Sequence, residues 1–402
     1  MKNKSFIVVI VNNSISELDW IMPVIYSFKK EHHVFLYFKN QNIYKSLKNN
    51  KTLFSLTMKM INGYFIEKFS SLFLIKILRK FVNSVNFHFI MNDYFEKKIH
   101  SLKRLESIIK EITKIKNVKI DFIFSDYGIN SGWVKIITKY NKLRPKIIHY
   151  PHSPQSYLLR KKFKPKYKLY GDALLVGRNE DKFFFSNYID KKKIHSCGIP
   201  RYDDWWNKQI LKYSSFDFDL KNFKNKNLIT FAYVSKFETY EDYSDKLAEQ
   251  LEDIMQVFSK IENTTIIFKI HPRKNSKKFL SILKNYDKSK WILSKTHLIK
   301  LVKVSKAIMC HPNSAAGLDG LSQNIPVVQI WPIKGIESLN DTQKRLGFVK
   351  SAKNKKELRN LILLSIKKPK NKIWKDQRKN FSKYFPYQNY YTNISKKIIS
   401  KV

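Results

Sequence analysis

The sequence predicts an α/β protein with two domains that face one cleft. Its 402 residues exceed the usual size of one hydrophobic core, so two domains of roughly 150–200 residues are expected. Hydrophobic residues make up 43% of the chain and charged residues 27%, which indicates a folded globular protein rather than a disordered one. Short apolar segments alternate with longer segments of helical periodicity, and this alternation is typical of parallel sheets covered by helices.

The first half of the chain begins with a β-α-β pattern. Residues 6–11 (FIVVIV) form a continuous apolar run, and Ser16 is the expected N-cap of a helix that ends near Lys30. Further strands are predicted at 34–39, 121–128, 146–154 and 172–177. After the segment 198–206 (GIPRYDDWW), which contains a turn, residues rich in Lys and Asn up to about 227 are expected to link the two domains.

A second β-α series begins at residue 228. Strands are predicted at 228–235, 265–272, 291–294, 307–312 and 326–330, with helices at 242–260 and 297–305. We therefore expect two Rossmann-like domains, at 1–205 and 228–370, and a tail of terminal helices at 371–402 that packs back across the first domain.

The chain carries a large positive charge. Its 77 Lys and Arg residues outnumber 32 Asp and Glu residues, which gives a net charge of +45 and a field that attracts anions. The alternative explanation of this excess is a compositional bias of the source, with the basic residues spread over solvated faces. The basic segment at 74–85 has one apolar face, so it is either a helix packed on the sheet or an interfacial helix on an anionic membrane. No zinc knuckle, RNP-type or KH-type motif occurs, so nucleic acid is not an expected partner.

The two cysteines, Cys197 and Cys310, are far apart and lack metal-ligand spacing. They favour a reducing compartment, and the sequence predicts neither a bound metal nor a cofactor. No run of 18 uncharged apolar residues occurs, and the N-terminus is interpreted as a strand rather than a signal peptide. A cytoplasmic protein is expected, with peripheral contact to the inner face of the membrane left open.

The strongest candidate site is the segment 310–320 (CHPNSAAGLDG), between a buried strand and a predicted helix. Open backbone N–H groups at a helix start bind anions, and a diphosphate would fit there. Ser314 is expected to donate its hydroxyl to a phosphate oxygen, with His311 beside it, while Ala315 and Gly317 allow close approach. An ordinary strand-to-helix turn is the alternative.

A second group of polar residues ends the strand predicted at 265–272. In an open α/β sheet, ligands bind beyond the carboxyl ends of the strands, so His271 is expected beside the Ser314 loop. His271 would hydrogen-bond or protonate a departing phosphate, and Lys269 and Arg273 would add positive charge. A histidine that is only structurally satisfied is the alternative.

The third group lies at the ends of first-domain strands, across the predicted cleft. His152 is the candidate base, because the pKa of histidine lies near neutrality, and Asp126 is expected to orient or replace it. Arg201, in the turn after the last predicted strand, is expected to face the cleft and contact a donor. The alternative is that these residues only cap strand ends.

These segments resemble the GT-B superfamily of glycosyltransferases. The likeness is greatest to the CDP-glycerol glycerophosphotransferases and the CMP-sugar polysialyltransferase-like enzymes of bacterial surface polysaccharide synthesis. Lys269, His271 and Pro272 match their K-x-H-P motif, Ser314 matches their Ser-containing helix start, and 198–203 matches their G-x-P-x-x-D turn. The resemblance implies a metal-independent transferase with a first-domain His as its acceptor-side base, which here is His152, followed by Ser153 where Gly is usual.

Three functions follow from the sequence. The first is transfer of a sugar or polyol-phosphate unit from a CMP-, CDP- or UDP-linked donor to a glycan or lipid-linked acceptor of a capsule, lipopolysaccharide or teichoic acid. The second is a non-catalytic protein that binds polyanions or scaffolds a membrane complex on the same fold. The third is a UDP-sugar 2-epimerase, although 271–275 (HPRKN) lacks the Glu of the H-R-x-E-N segment that it resembles.

Overall fold

A computed structural model describes residues 5–11, 15–38, 40–66, 120–126, 145–150, 169, 171–233, 244–269, 277–312, 314–333, 341–385 and 390–402. Within these ranges the chain forms two sheets, and every described pair of neighbouring strands is parallel. The predicted fold class, two Rossmann-like α/β units, is confirmed. The basic segment at 74–85 lies outside the described residues.

The first sheet has seven described strands in the order β3-β2-β1-β4-β5-β6-β7. They are β1 (Ser5–Val11), β2 (His32–Phe38), β3 (Gly63–Ile66), β4 (Ile120–Asp126), β5 (Lys146–Tyr150), β6 (Ala173–Val176) and β7 (Ile194–Ser196). The accompanying helices are α1 (Ser16–Phe28), α2 (Gln41–Asn49), α3 (Lys51–Met60) and α4 (Asn179–Phe185). Residues 6–11 of the central strand β1 are all buried, as expected for an apolar strand that is covered on both faces.

The second sheet has six described strands in the order β10-β9-β8-β11-β12-β13. They are β8 (Asn227–Ala232), β9 (Thr264–Lys269), β10 (Trp291–Ser294), β11 (Ala307–Cys310), β12 (Val327–Gln329) and β13 (Lys350–Ser351). After α5 (Asp204–Tyr213), its helices are α6 (Ser244–Ser259), α7 (Lys277–Lys284), α8 (Leu298–Val304), α9 (Ala315–Ser322), α10 (Thr342–Arg345) and α11 (Lys355–Lys367). In α6, Leu251, Ile254 and Phe258 share one face and are fully buried, so helical periodicity places the helix on the sheet.

The segment 198–203 joins the two halves. Gly198 has a φ of +74°, and a Cβ there would lie 1.9 Å from the ring of Tyr391, so the turn requires glycine. Asp203 accepts hydrogen bonds from the backbone N–H groups of Tyr391 at 3.0 Å and Thr392 at 2.7 Å. Its carboxylate therefore satisfies the first N–H groups of the last helix, α13 (Tyr391–Lys401).

The C-terminal part of the chain returns to the first half. It forms α12 (Lys372–Tyr384) and then α13, in which Ile399 is buried in the core of the first sheet. Lys396 donates a hydrogen bond to the carbonyl of Ser27 at the end of α1. The last two helices therefore follow the second sheet in the chain, and α13 contacts the first half. The domain boundaries predicted at 205, 228 and 370 stay a prediction.

Two local expectations were wrong, and one strand was not predicted. Ser16 is the first residue of α1, and Ile15 is at the N-cap position. The predicted linker contains α5, because Trp206 and Ile210, one turn apart, bury an apolar face among polar neighbours. The first sheet also continues through β7, a strand of three residues that is too short to give a clear periodicity. None of the described helices combines the length and hydropathy needed to span a membrane.

Candidate functional site at the carboxyl edges of the two sheets

One arginine joins the carboxyl edges of the two sheets. Nη2 of Arg201 lies 2.7 Å from Oδ1 of Asp319 and 3.0 Å from Oδ2 of Asp19. Asp19 is in the first turn of α1, directly after β1, and Asp319 is in α9, which follows β11. The strand ends at which α/β proteins bind ligands therefore meet at this ion pair.

The ion pair is almost fully withdrawn from water. The side chains of Arg201, Asp19 and Asp319 are 12%, 11% and 4% exposed. Burial raises the pKa of Asp319 to about 7, although the charge of Arg201 opposes this shift. Burial lowers the pKa of Arg201, but the two carboxylates raise it by more, so the guanidinium stays charged. A contact between Arg201 and a donor stays a prediction, because its described partners are these two carboxylates.

Ser314 begins the helix that follows β11. Its Oγ accepts a hydrogen bond from the backbone N–H of Ala316 at 3.4 Å, which makes Ser314 the N-cap of α9. The Ser314 carbonyl accepts a hydrogen bond from Nε2 of Gln343 at 2.8 Å, which fixes the turn against α10. Ser314 and Ala315 are both partly exposed. The structure therefore places a hydroxyl and the start of a helix at the edge of the sheet, as the sequence predicts.

The glycines of α9 pack toward the sheet and not toward a ligand. A Cβ on Gly317 would lie 2.8 Å from Oε1 of Gln343 and 3.3 Å from Sγ of Cys310. A Cβ on Gly320 would lie 2.3 Å from Ile308. The expectation that Gly317 allows close approach of a phosphate was wrong, because this residue allows close approach of the helix to β11.

His311 lies beside the Ser314 turn, directly after β11. Its ring stacks on Phe231, with centroids 5.7 Å apart, and lies 5.0 Å from the ring of Tyr233. Burial lowers its pKa to about 4, so the imidazole is neutral at pH 7. Its Nε2 makes no hydrogen bond within the described structure. This nitrogen is available to donate to, or accept from, a bound group.

Lys269 is the last residue of β9, on the same edge of the second sheet. Its ammonium donates a hydrogen bond to the carbonyl of Lys295 at 3.1 Å. Burial lowers its pKa to about 8, and the nearby carboxylate of Asp217 opposes the shift. Asp217 accepts hydrogen bonds from Ser294 at 2.5 Å and from the backbone N–H of Lys295 at 2.6 Å, so it is held in place. Lys269 therefore carries a charge that a change of about one pH unit would alter.

On the opposite edge, Asp126 ends β4 and lies beside Tyr150, the last residue of β5. Both residues are fully buried, and so is Glu17 in the first turn of α1. Burial and the negative charges of Glu17 and Asp126 raise the pKa of Tyr150 well above its usual value. The first-sheet edge therefore presents two carboxyl groups and a protonated phenol, of which the sequence singled out only Asp126.

Three predicted residues, His152, His271 and Arg273, lie outside the described residues. The others divide into two groups. Lys269, His311, Ser314 and Ala315 lie on the carboxyl edge of the second sheet, whereas Asp126 lies on that of the first and Arg201 is at the junction.

The sequence did not single out His297, which the structure places between the two groups. It is 8% exposed, and its Nδ1 accepts a hydrogen bond from the backbone N–H of Ile299 at 3.4 Å, at the start of α8. Burial lowers its pKa to about 4, and the charges of Asp19, Arg201 and Lys269 act on it. A histidine before an apolar helix has no distinctive pattern, so only the fold reveals this position. Within the described ranges, no group of three His, Cys, Asp or Glu residues has the arrangement of a metal site.

The part of the chain that carries the candidate residues of the second sheet is similar to known proteins. Residues 234–355 match the family of capsule polysaccharide biosynthesis proteins. The matched region contains β9, β11, Lys269, Ser314 and most of the second sheet. No match to the sequence was found among curated proteins.

Solved structures share the fold over the full chain. A glycosyltransferase from Rickettsia africae is 13% identical, with a TM-score of 0.56 and 100% of both chains covered. A UDP-glucosyltransferase from Polygonum tinctorium is 9% identical, with a TM-score of 0.62 and 100% and 99% covered. The UDP-GlcNAc 2-epimerase from Neisseria meningitidis, bound to UDP-GlcNAc, is 13% identical, with a TM-score of 0.58 and 99% and 100% covered. At these identities the likeness concerns the fold, and the predicted GT-B architecture is confirmed.

Proposed function

We propose that this protein transfers a sugar or polyol-phosphate unit from a nucleotide-activated donor to the acceptor of a capsular or similar surface glycan. The observation that carries the proposal is the Ser314 turn. It places a hydroxyl and a helix start after β11, inside the matched region 234–355, beside Nε2 of His311, which has no hydrogen-bond partner among the described residues. Helix N-termini of this kind bind phosphate groups. A nucleotide-activated donor carries the phosphate that such a site requires.

The second sheet is the proposed donor side. Ser314, Ala315 and His311 would hold the donor phosphate, and Lys269 would add positive charge from the neighbouring part of the edge. His271 and Arg273, from the segment after β9, are assigned to the departing nucleotide by their sequence positions. Stabilising the negative charge that develops on this leaving group is the larger part of the proposed catalysis. These protein cations and N–H groups would stabilise the leaving group without a metal ion, so the proposed transfer is metal-independent.

The first sheet is the proposed acceptor side. Asp126 ends β4 beside Glu17 and Tyr150, and His152 follows β5 by two residues. A carboxylate or neutral imidazole here would remove the proton from the acceptor hydroxyl as it attacks the donor. The bond from the donor carbon or phosphorus to the nucleotide phosphate would break as the new bond to the acceptor oxygen forms. The Arg201 ion pair would hold the two edges at a fixed separation during this step.

The first test is nucleotide binding, measured as the shift in melting temperature with CMP, CDP, UDP, GDP and ADP. Ser314→Gly removes the hydroxyl but preserves the helix cap to within a few tenths of a kcal/mol. Without nucleotide, the melting temperature of this variant should therefore be close to that of the wild type. Ser281→Ala, in α7 on the same half, is the matched control. We expect one nucleotide to stabilise the wild type and the control, and to stabilise Ser314→Gly much less. Equal stabilisation of all three proteins would remove Ser314 from the donor site.

The second test follows the donor itself. A transferase releases free nucleotide faster when a surface-glycan acceptor is added, and loses this response when Asp126 is replaced by Asn. A cytidine preference in the first test would favour the CMP- and CDP-linked donors over UDP-linked ones. Conversion of a UDP-sugar without acceptor or nucleotide release would identify an epimerase. Binding without consumption of any donor would identify a polyanion-binding protein and overturn the proposal.

A further inference from the structure

Two tyrosines form a partly exposed stack at the outer edge of the first sheet. Tyr44 is in the first turns of α2, and Tyr64 is the second residue of the edge strand β3. Their ring centroids are 5.0 Å apart with an interplanar angle of 23°, and their hydroxyl oxygens are 2.9 Å apart. Tyr64 is 41% exposed although both its ring and its hydroxyl contact Tyr44. The stack is therefore a rigid aromatic surface that is open to solvent.

The third ring of this cluster does not cover the open face. Phe38 lies 5.5 Å from Tyr44 and 6.2 Å from Tyr64, at steep angles to both rings. A ring on the far side of Tyr64 would be much farther from Tyr44 than from Tyr64. Since the two distances are similar, Phe38 supports the stack from the side. Tyr64 is 41% exposed, and among the described rings Phe38 does not cover the face of Tyr64 that points away from Tyr44.

A lysine lies over the Tyr44 ring of the stack. The ammonium of Lys48 lies 5.6 Å from the centroid of the Tyr44 ring, and Lys45 is exposed on the same short helix. A cation at this distance interacts favourably with the aromatic ring. The site therefore combines an aromatic face, two phenol hydroxyls and positive charge. This combination suits a sugar ring with an acidic substituent, because the C–H groups of a sugar pack on an aromatic face and its hydroxyls bond to phenols.

The position of the stack fits a substrate that extends away from the reaction centre. Asn40 caps α2 directly after β2, so Tyr44 lies within one turn of the carboxyl edge that also carries Asp126. In the order β3-β2-β1-β4, Tyr64 and Asp126 are three strand spacings apart, which is about 14 Å. That separation corresponds to a few linked sugar rings.

We propose that the Tyr44–Tyr64 stack is a distal acceptor subsite, which binds a sugar ring of an acidic polysaccharide several units from the end that is extended. This inference rests on the proposed glycan-transfer function and specifies its acceptor as a chain rather than a single sugar. Tyr64 supplies the stacking face, Tyr44 holds it in place, and Lys48 favours an anionic substituent.

The test measures binding of capsular oligosaccharides from the source strain, prepared by partial hydrolysis and separated by length. We expect Tyr64→Ala to weaken binding of the long fragments about 2- to 10-fold, the effect of one aromatic contact, and to leave fragments of one or two sugars unchanged. Tyr64→Phe should retain most of the affinity. Tyr26→Ala is the matched control, because Tyr26 is also stacked and 42% exposed but lies toward the end of α1 farthest from the carboxyl edge.

Three results would overturn the subsite. The first is that Tyr64→Ala binds fragments of every length with wild-type affinity. The second is that its affinity falls equally for short and long fragments. The third is that its affinity falls only for vesicles of anionic phospholipid, tested alongside the fragments. Binding does not require a donor, so these results are separate from the transfer reaction. Length-dependent binding without any nucleotide release would support the subsite while overturning the transferase.

Discussion

Nη2 of Arg201 donates a hydrogen bond to Oδ1 of Asp319 at 2.7 Å, and this bond links the turn after the first sheet to the helix that begins at Ser314. The same nitrogen is 3.0 Å from Asp19. We expect Arg201→Met to lower the free energy of unfolding by about 3–5 kcal/mol, because it leaves two buried carboxyl groups without a cation. The loss should be larger at pH 8 than at pH 6, since protonation neutralises Asp319, whose folded-state pKa is raised to about 7.

Urea denaturation at the two pH values measures this effect. The control is Lys355→Met, which breaks an ion pair with Asp253 that is similar in length, 2.8 Å, but whose side chains are 50% and 36% exposed. That change should cost less than about 1 kcal/mol. If the free energy of unfolding fell by the same small amount in both variants, the Arg201 ion pair would not stabilise the contact between the two halves.

Gly198 gives a second prediction. Gly198→Ala should destabilise the protein by more than about 2 kcal/mol, because alanine is strained at a φ of +74° and its Cβ would overlap the Tyr391 ring. Gly177→Ala is the matched control, since its nearest neighbour would be 3.6 Å from the new Cβ, an ordinary contact distance. Thermal unfolding of the two variants checks the difference. Equal melting temperatures would show that the turn can rearrange without cost.

The sequence predicts the central strands of both sheets because they are continuous apolar runs. β1, β11 and β12 lie within two residues of their predicted bounds, and the edge strand β10 matches its predicted bounds fully. Short edge strands such as β3 and β13 have too few residues for a visible period. α5 was missed because its Lys- and Asn-rich surroundings resemble a linker, although Trp206 is fully buried.

The candidate site was predictable where a motif follows a strand, as at Ser314 and Asp126. It was not predictable where function depends on distant partners. Asp319 is separated by 118 residues from Arg201, and nothing local in either segment indicates that they meet. The same holds for Tyr44 and Tyr64, which lie on different elements and are brought together by the strand order.

Acid sensitivity provides a third prediction, based on His297. Its pKa is about 4 in the folded protein because burial disfavours the charged form, whereas the ordinary pKa of histidine is 6.5. The unfolded chain therefore binds more protons between these values, so stability falls as the pH decreases through this window. Between pH 7 and pH 5, His297 should contribute a loss on the order of 2 kcal/mol.

The variant that isolates this contribution is His297→Asn, because asparagine keeps a cap for α8 and does not titrate. Urea denaturation at pH 7 and pH 5 should give a smaller pH-dependent loss for the variant than for the wild type. An identical loss in both proteins would mean that His297 takes up its proton without unfolding the site.

The charge of Lys269 leads to a prediction about donor binding that rests on the proposed function. Its folded-state pKa of about 8 means that the ammonium is charged below pH 8 and largely neutral above it. The affinity for the stabilising nucleotide should therefore fall as the pH rises from 7 to 9, on the order of 10-fold if one charged contact is lost. Titration calorimetry at the two pH values measures this change.

Two variants serve as controls. In Lys269→Arg the charge persists at pH 9, so the affinity should vary much less with pH. Lys295 is an exposed neighbour, so Lys295→Ala should behave like the wild type. A wild-type affinity that is independent of pH would show that Lys269 remains bonded to the Lys295 carbonyl and takes no part in holding the donor.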